Sequence, residues 1–365
     1  MTRWPTSSPS KRQPQTPEGA PAVAPLSFCL PAIDPRPPAS HDRATRTEVS
    51  RVTAAPQSNH DRLIDLANDT PPAPTAIVHP CDASSLAGAM AARDAALILP
   101  ILVGPVARIT AAATAGGIDL AGVEIVDVPH SHAAAARAVE IVREGRAEML
   151  MKGSLHTDEL IAALIDRDTG LRTARRLSHV FIMDVPGHEE TLFITDAAIN
   201  IQPDLETKRD IVQNAIDLCH ALGNAQPRVA ILSAVETVTP KIPSTLDAAA
   251  LCKMADRGQI TGGLLDGPLA FDNAIDMEAA RIKGIASPVA GRAQVLVVPD
   301  LEAGNMLAKN LSFLSRADAA GIVLGARVPV ILTSRADSVR TRLASAAVGA
   351  ILAARRRAAQ PVPAE

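Results

Sequence analysis

The chain has 365 residues, 47% of them hydrophobic and 21% charged, which is enough apolar material for one large or two medium globular domains. A formal net charge of -3 and an aromatic content of 2% argue against a nucleic-acid-binding surface, a base-stacking platform and attraction to anionic membranes. The four cysteines form no CxxC pair, which fits a reducing compartment and argues against a zinc site or a disulfide framework.

Residues 1–60 form a Pro-, Ser- and Arg-rich arm without hydrophobic periodicity, for which we predict disorder. The opening segment MTRWPTSSPSKRQPQTPEG lacks the apolar stretch of a secretory signal, and no run of about 18 apolar residues predicts a membrane span. We therefore expect a cytoplasmic protein whose partners are small molecules. A Pro cluster at 70–74 separates a short helical segment from the first predicted strand, 75–79.

Beyond the arm, short runs rich in Val, Ile and Leu alternate with Ala-rich stretches of helical period, such as HAAAARAVEIVREG and ELIAALIDR. The further strands that we predict, in chain order, are 95–104, 123–128, 148–153, 179–185, 191–200, 228–236, 294–300, 319–325 and 327–334. The alternation of strands and helices predicts an α/β fold whose parallel sheet is covered on both faces.

Polar residues cluster directly after several of these apolar runs. In doubly wound sheets, ligands bind beyond the carboxyl ends of strands, where loops meet helix N-termini. The clusters are 152–158, 234–241, 266–268, 301–306 and 333–338. Helix capping explains any one of them taken alone, and Asp337 or Ser338 would then simply cap the helix VRTRLASAAVGAILAARRR.

Two of these turns contain more than a cap requires. Lys152 stands beside Gly153 and Ser154 at the end of one strand, and Ser334 stands beside Arg335 at the end of another. Helix-start N–H groups, hydroxyl donors and a fixed cation together suit phosphate or another oxyanion. The sequence therefore predicts an anion site at these strand ends.

Several common signatures are absent from the sequence: GxxxxGK[ST], GxGxxG, HExxH and GxSxG. Their absence disfavours a nucleotide triphosphatase, a simple dinucleotide-binding domain, a zinc protease and an α/β-hydrolase. The cysteines lie outside all of the polar clusters, which disfavours a cysteine nucleophile.

Four segments resemble the phosphate acetyltransferase and phosphate butyryltransferase family. They are LMKGSLHTDEL (150–160), LLDGPLAFDNAI (264–275), SPVAGRAQVLVVPDLEAGNMLAKNL (287–311) and PVILTSRADS (329–338), and the resemblance extends over about 75–355. It implies reversible transfer of an acyl group between coenzyme A (CoA) and orthophosphate, giving acyl phosphate. CoA is a substrate in this reaction, and the resemblance implies no metal and no further cofactor.

The same resemblance implies the architecture of the folded part. It consists of two doubly wound α/β domains of the isocitrate-dehydrogenase-like type, with the active-site cleft between them, in a homodimer. By this comparison the first domain is discontinuous, formed by 61–168 plus 322–360, and 169–321 form the second domain.

Residue roles follow from the matching positions. Ser334 and Arg335 match the family's catalytic Ser-Arg pair, which stabilises charge on the acyl and phosphoryl oxygens. In the acetyltransferases, the proposed thiol base is an aspartate six residues beyond that arginine, where this chain has Thr341. Asp337 is the candidate replacement as base. The substrate ligands that we predict are Lys152, Ser154, His156, Asn305, Thr333 and Ser338.

The two branches of the family differ around 150–160. Acetyltransferases of the better-known type carry SGAxHS followed by a helix start with an arginine, whereas this chain has KGSLHT and no such arginine. KGSLHT and SRADS are more similar to the butyryltransferase branch, and we predict that Lys152 replaces the arginine as phosphate ligand. We predict a phosphate acetyltransferase, with phosphate butyryltransferase as the alternative.

Two further functions remain open from the sequence. A metal-dependent decarboxylating dehydrogenase would need a trio of aspartates, for which Asp266, Asp272 and Asp276 are candidates, although a turn and an N-cap explain them more simply. The second open function is a binding protein that keeps the cleft but has lost catalysis. Thr341, at the position of the expected base, is the only residue that suggests it.

Overall fold

The computed structural model describes residues 58–334 and 337–359. The arm predicted to be disordered lies outside the described residues except for its last positions, 58–60, where the first helix begins. The predicted boundary at residue 60 therefore falls just inside a helix. The strands are β1 Ala73–Val78, β2 Ile98–Gly104, β3 Glu124–Asp127, β4 Met149–Lys152, β5 Ser178–Asp184, β6 Leu192–Thr195, β7 Arg228–Leu232, β8 Leu264–Leu269, β9 Val295–Val297, β10 Asp318–Leu324 and β11 Val330–Ile331.

Helices connect most of these strands. They are α1 Asn59–Asn68, α2 Ala83–Asp94, α3 Val106–Gly116, α4 Ser131–Arg143, α5 Thr157–Ile165, α6 Leu205–Ala221, α7 Pro243–Asp256, α8 Phe271–Ile275, α9 Met277–Ile282, α10 Leu301–Phe313 and α11 Val339–Ala359. Aspartates at the strand–helix junctions cap several of them, as Asp82 does for α2 and Asp300 for α10. In the part of the chain that the structure describes, no helix is long and apolar enough to cross a membrane.

The strands form one sheet in the order β3-β2-β1-β4-β11-β10-β5-β6-β9-β7-β8. Its two flanks are parallel, as predicted, but the centre is not: β10 runs antiparallel to β11 and to β5, and β5 runs antiparallel to β6. The prediction of a parallel sheet was wrong at the centre because the segments 185–191 and 325–329 are too short for the crossover that parallel neighbours need.

The mixed α/β architecture is confirmed, and its core is aliphatic. Neighbouring residues of β1 point to opposite faces: Ile77 packs with residues of α2 and α11, while Ala76 and Val78 pack with residues of α4 and α5. Ala, Leu, Ile and Val supply most of this core, as the low aromatic content predicted. The division into two domains stays a prediction, and β10 spans its proposed boundary between 321 and 322.

Sheet register brings the two predicted anion turns to one edge. β4 and β11 are parallel neighbours, with Met151 opposite Ile331, so that Lys152 and Thr333 leave the sheet at the same end. β1 flanks β4 on its other side, with Val78 opposite Lys152. The carboxyl ends of β4 and β11 therefore lie on one side of a cavity.

Candidate active site

A cavity of about 910 Å³ lies at this edge of the sheet. Its size is in the range of sites for small molecules and cofactors. The predicted residues that line it are Lys152, His156, Asn305, Thr333, Ser334, Asp337 and Ser338. Arg335 lies outside the described residues. Apolar side chains form much of the remaining wall, namely Leu155, Phe181, Leu301, Phe313 and Leu332.

The hydrogen bonds of Asp337 and Ser338 show which of these two residues caps α11. The Ser338 Oγ accepts a hydrogen bond from the Thr341 backbone N–H at 3.1 Å, which is the geometry of an N-cap. The Asp337 Oδ2 instead accepts from the Ser334 N–H at 2.6 Å. Ser338 is therefore the cap, and the carboxylate of Asp337 is held against the start of the turn.

A buried arginine that the sequence analysis missed supports the turn from below. The side chain of Arg342 is 3% exposed, and its guanidinium donates to the Thr333 Oγ1 at 2.8 Å and to the Ser334 carbonyl at 2.9 Å. Its stem passes over Gly88 of α2, where a Cβ would overlap the Arg342 Cδ. The sequence does contain a signal, because Arg342 shares a helical face with the buried residues Ser345 and Ala346.

The electrostatics of Asp337 follow from its position between two cations in a half-buried site. Burial raises the pKa of the Asp337 carboxyl above its ordinary value. The hydrogen bond from Ser334 and the charges of Arg342 and Lys152 lower this pKa, but they offset burial only in part. The carboxylate is therefore more basic than a solvated aspartate, which is a property expected of a general base.

Lys152 is the cation that reaches the cavity from β4. It is 6% exposed, and its Nζ lies 3.4 Å from the carbonyl oxygen of Gly153, to which it donates. A lysine in a solvated helix start would be mostly exposed, so burial beside Asp337 agrees better with an anion-binding role than with a surface charge.

Gly153 and Ser154 have packing roles. A Cβ on Gly153 would lie 2.7 Å from the carbonyl oxygen of His79, so only glycine fits where β1 and β4 end together. The Ser154 hydroxyl donates to the same carbonyl at 2.7 Å and accepts from the Cys81 N–H at 3.1 Å. Ser154 is not among the described residues that line the cavity. Its contact with substrate stays a prediction.

The opposite wall is formed by α10 and the residues after it. The Asn305 amide donates to the Ala197 carbonyl at 3.2 Å, and Lys309, one turn further along the helix, lines the cavity beside it. Arg316 follows the helix and lines the same wall. Sequence analysis missed these two cations, although the i, i+4 spacing of Asn305 and Lys309 was available as a signal. His156 lies exposed at the start of α5 and makes no side-chain cap bond.

His179 lies in the floor of the cavity on β5. Burial lowers the pKa of its imidazole to about 4, and a hydrogen bond to the Leu332 carbonyl opposes this effect. The ring packs edge to face on Phe181, with centroids 4.4 Å apart. His179 is therefore neutral at physiological pH and contributes no charge to the floor.

The three aspartates considered as metal ligands have separate partners. The Asp266 carboxylate accepts from the Gly267 N–H at 2.8 Å, Asp276 caps α9, and Asp272 lies 3.8 Å from Lys283. Among the described residues, no three His, Cys, Asp or Glu side chains are arranged to hold a metal ion. The trio required by a metal-dependent dehydrogenase is thus not assembled from these aspartates.

Together, the fold and the cavity define an α/β protein with a candidate ligand site of polar and apolar residues at the carboxyl ends of its strands. Comparisons with known proteins identify the family. The family model described as phosphate acetyl/butaryl transferase matches residues 131–350. A phosphate acetyltransferase of Rhizobium meliloti is 72% identical over 306 residues, covering 84% of this chain and 97% of the relative. A phosphate butyryltransferase of Clostridium acetobutylicum is 44% identical over 253 residues, covering 69% and 84%.

Solved structures agree with this assignment. A branched-chain phosphotransacylase from Enterococcus faecalis superposes with a TM-score of 0.68 at 29% identity, covering 77% of this chain and 99% of that one. A phosphotransacetylase from Streptococcus pyogenes shares the fold, with a TM-score of 0.69 at 22% identity, covering 80% and 98%. The chain belongs to the phosphate acetyltransferase and butyryltransferase family, which confirms the resemblance found in the sequence.

We predict that Arg342→Met lowers the free energy of unfolding by about 2–3 kcal/mol, because the two charge-assisted hydrogen bonds of a buried guanidinium are lost. Chemical denaturation measures this change. Arg340→Met is the matched control, since Arg340 lies on the same helix but pairs with Asp61 and Asp318 at the surface. Its loss should cost less than about 1 kcal/mol. Equal losses in the two variants would contradict a supporting role for Arg342.

Proposed function

We propose that the protein catalyses reversible transfer of an acetyl group between CoA and orthophosphate. The observation that carries the proposal is the convergence of Lys152, Ser334 and Asp337 on one half-apolar cavity. Family membership supports the reaction class. The acetyl group is favoured because the relative that is 72% identical is named phosphate acetyltransferase, whereas the butyryltransferase cited above is 44% identical.

In the direction of thioester synthesis, the CoA thiol loses its proton to the Asp337 carboxylate. The thiolate then attacks the carbonyl carbon of the acyl phosphate, the new C–S bond forms, and the C–O bond to phosphate breaks. The raised pKa of Asp337 supports its role as the base. The neighbouring Thr341 has no titratable carboxyl, and its N–H is donated to the cap Ser338.

Negative charge develops on the carbonyl oxygen of the acyl group and on the departing phosphate. Hydrogen-bond donors and cations near these oxygens would stabilise it. We assign this role to Ser334 and Arg335, as the family resemblance implies, and we assign the departing phosphate to Lys152. Thr333 and Ser338 supply further hydroxyls in the same turn. As the family resemblance implies, we propose that the reaction uses no metal and no further cofactor.

The cavity, of about 910 Å³, is large enough to take a substantial part of CoA. Its apolar wall, which includes Leu155 and Phe181, accepts the pantetheine arm and the acyl group. Lys309 and Arg316 on the far wall are placed to bind the phosphates of CoA. His156 and Asn305 line the same cavity, and we assign them polar contacts with the substrate.

The proposal also includes a cellular location and an oligomeric state. We place the enzyme in the cytoplasm, in agreement with its cysteine usage. We also propose a homodimer, as the resemblance implies. Leu314, at the end of α10, is 77% exposed, and Met306 on that helix is 65% exposed; a partner subunit would remove such apolar area from water.

Acyl transfer is tested by release of the CoA thiol when phosphate is added to acetyl-CoA. We expect phosphate-dependent release with acetyl-CoA and a kcat/KM at least about ten-fold lower with butyryl-CoA, since each misfit methylene costs about 1–3 kcal/mol. Higher kcat/KM with butyryl-CoA would establish the butyryltransferase alternative. Absence of phosphate-dependent release with acetyl-, propionyl- and butyryl-CoA would mean that the protein is not an acyltransferase of this kind.

Lys152→Ala should raise the KM for phosphate about ten-fold or more, because a buried charge-assisted contact with the anion is lost. The KM for acetyl-CoA should change less. Lys253→Ala is the control, since Lys253 lies exposed on α7 and pairs with Asp256 at the surface. If Lys152→Ala leaves both the KM for phosphate and the turnover unchanged, Lys152 is not the phosphate ligand.

A further inference from the structure

A second cavity, of about 510 Å³, lies outside the site described above. We call it the arginine groove. It is formed where the segment after α5 passes the first turns of α6 and leads into β5. The residues that line it are Ile165, Arg167, Arg172, Thr173, Ala174, Arg175, Arg176, Leu177, Glu206, Arg209 and Asp210. Five arginines therefore face two carboxylates, in a protein whose formal net charge is -3.

The ion pairs of the groove do not neutralise these arginines. Arg175 pairs with Asp217, and Arg209 pairs with Asp210. Within the described part of the chain, the guanidinium groups of Arg167, Arg172 and Arg176 form no ion pair within 4.0 Å. Asp204 lies near enough to Arg176 for that charge to help lower the pKa of its carboxyl, but three exposed guanidiniums around one concavity still favour a positive local potential.

The backbone under these arginines is fixed on both sides. The Thr173 hydroxyl donates to the Gly325 carbonyl at 2.6 Å, and the Arg327 N–H donates to the Leu171 carbonyl at 2.8 Å. On the other side, the Arg176 N–H donates to the Asp210 Oδ2 at 2.9 Å. Asp210 therefore binds both the backbone of Arg176 and the side chain of Arg209. The arginine side chains extend from a backbone that is fixed on both sides. Such preorganisation lowers the entropic cost of binding a ligand.

The groove and the reaction cavity share no described lining residue. They are connected through the chain, because Arg176 precedes His179 of β5 by three positions and His179 lies in the floor of the reaction cavity. The reaction cavity also has cations of its own on its far wall, Lys309 and Arg316. The groove is thus a second cluster of cations, separate from those of the reaction cavity.

We propose that the arginine groove binds an anion with several adjoining phosphates, such as the phosphate chain of a nucleotide. Guanidinium forks match phosphate oxygens in pairs, and several forks around one concavity suit several phosphates better than one. The volume fits a small molecule and not a nucleic-acid duplex. The phosphates come either from a free polyphosphate compound or from the nucleotide end of CoA.

Calorimetric titration of the full chain with inorganic tripolyphosphate, in the absence and presence of saturating CoA, tests the proposal. We expect saturable binding that weakens about ten-fold or more in the double variant Arg172→Gln/Arg176→Gln, since two charged donors are removed. Arg257→Gln/Arg292→Gln is the matched control: it removes the same charge from two exposed positions outside both cavities. Its affinity should equal that of the wild type.

The two titrations distinguish the sources of the phosphates. Binding that persists with CoA present identifies a free polyphosphate ligand. Binding that CoA abolishes, with a raised KM for CoA in the groove variant alone, identifies the nucleotide end of CoA. Equal affinity of the groove variant and the control in both titrations, or no saturable binding by the wild type, overturns the proposal. Thermal unfolding and acyl transfer by the same variants report folding separately, so failure here is distinct from failure of the proposed reaction.

Discussion

The segment between β11 and α11, which carries Ser334 and Asp337, depends on one buried guanidinium, that of Arg342. Burial of an arginine is costly unless its donors find acceptors, and Arg342 donates to the Thr333 hydroxyl and to the Ser334 carbonyl. These bonds fix the chain where β11 ends and before α11 begins. The Ser334 N–H is then left to donate to Asp337, which holds the carboxylate at the mouth of the cavity. Through these bonds, a cation in the interior positions Thr333, Ser334 and Asp337 between β11 and α11.

The same arrangement sets the chemistry of Asp337. Burial raises the pKa of the carboxyl, while the charges of Arg342 and Lys152 lower it, and the net shift is upward. Without the two cations, the carboxyl would be protonated more readily and would be a poorer proton acceptor at neutral pH. With full solvation, it would be a weaker base. The balance between burial and nearby charge lets the ionised aspartate act as a base, and it becomes a neutral carboxylic acid when it accepts the thiol proton.

Sequence analysis found the residues that line the cavity more readily than the residues that hold those side chains in place. The sequence analysis predicted an anion site at the strand ends that carry Lys152 and Ser334, and β4 and β11 do pair as parallel neighbours. Arg342 escaped notice because a charged residue on a helix is usually solvated, and only tertiary packing shows where its guanidinium lies. The strand at 319–325 was predicted, but its antiparallel direction was missed because alternation of elements carries no direction. The packing reason for Gly153 depends on the distant His79.

The central claim is that Asp337 is the thiol base, and the pH dependence of kcat/KM for CoA with acetyl phosphate tests it most directly. Measured between about pH 4 and pH 8, the wild-type rate should fall on the acid side through a pKa above the ordinary aspartate value of 3.8. Asp337→Asn should be slower by about 100-fold or more and should lose this acid limb, because the amide keeps the hydrogen bond from Ser334 but cannot accept the proton. A variant that keeps the wild-type rate and the same acid limb would contradict the account.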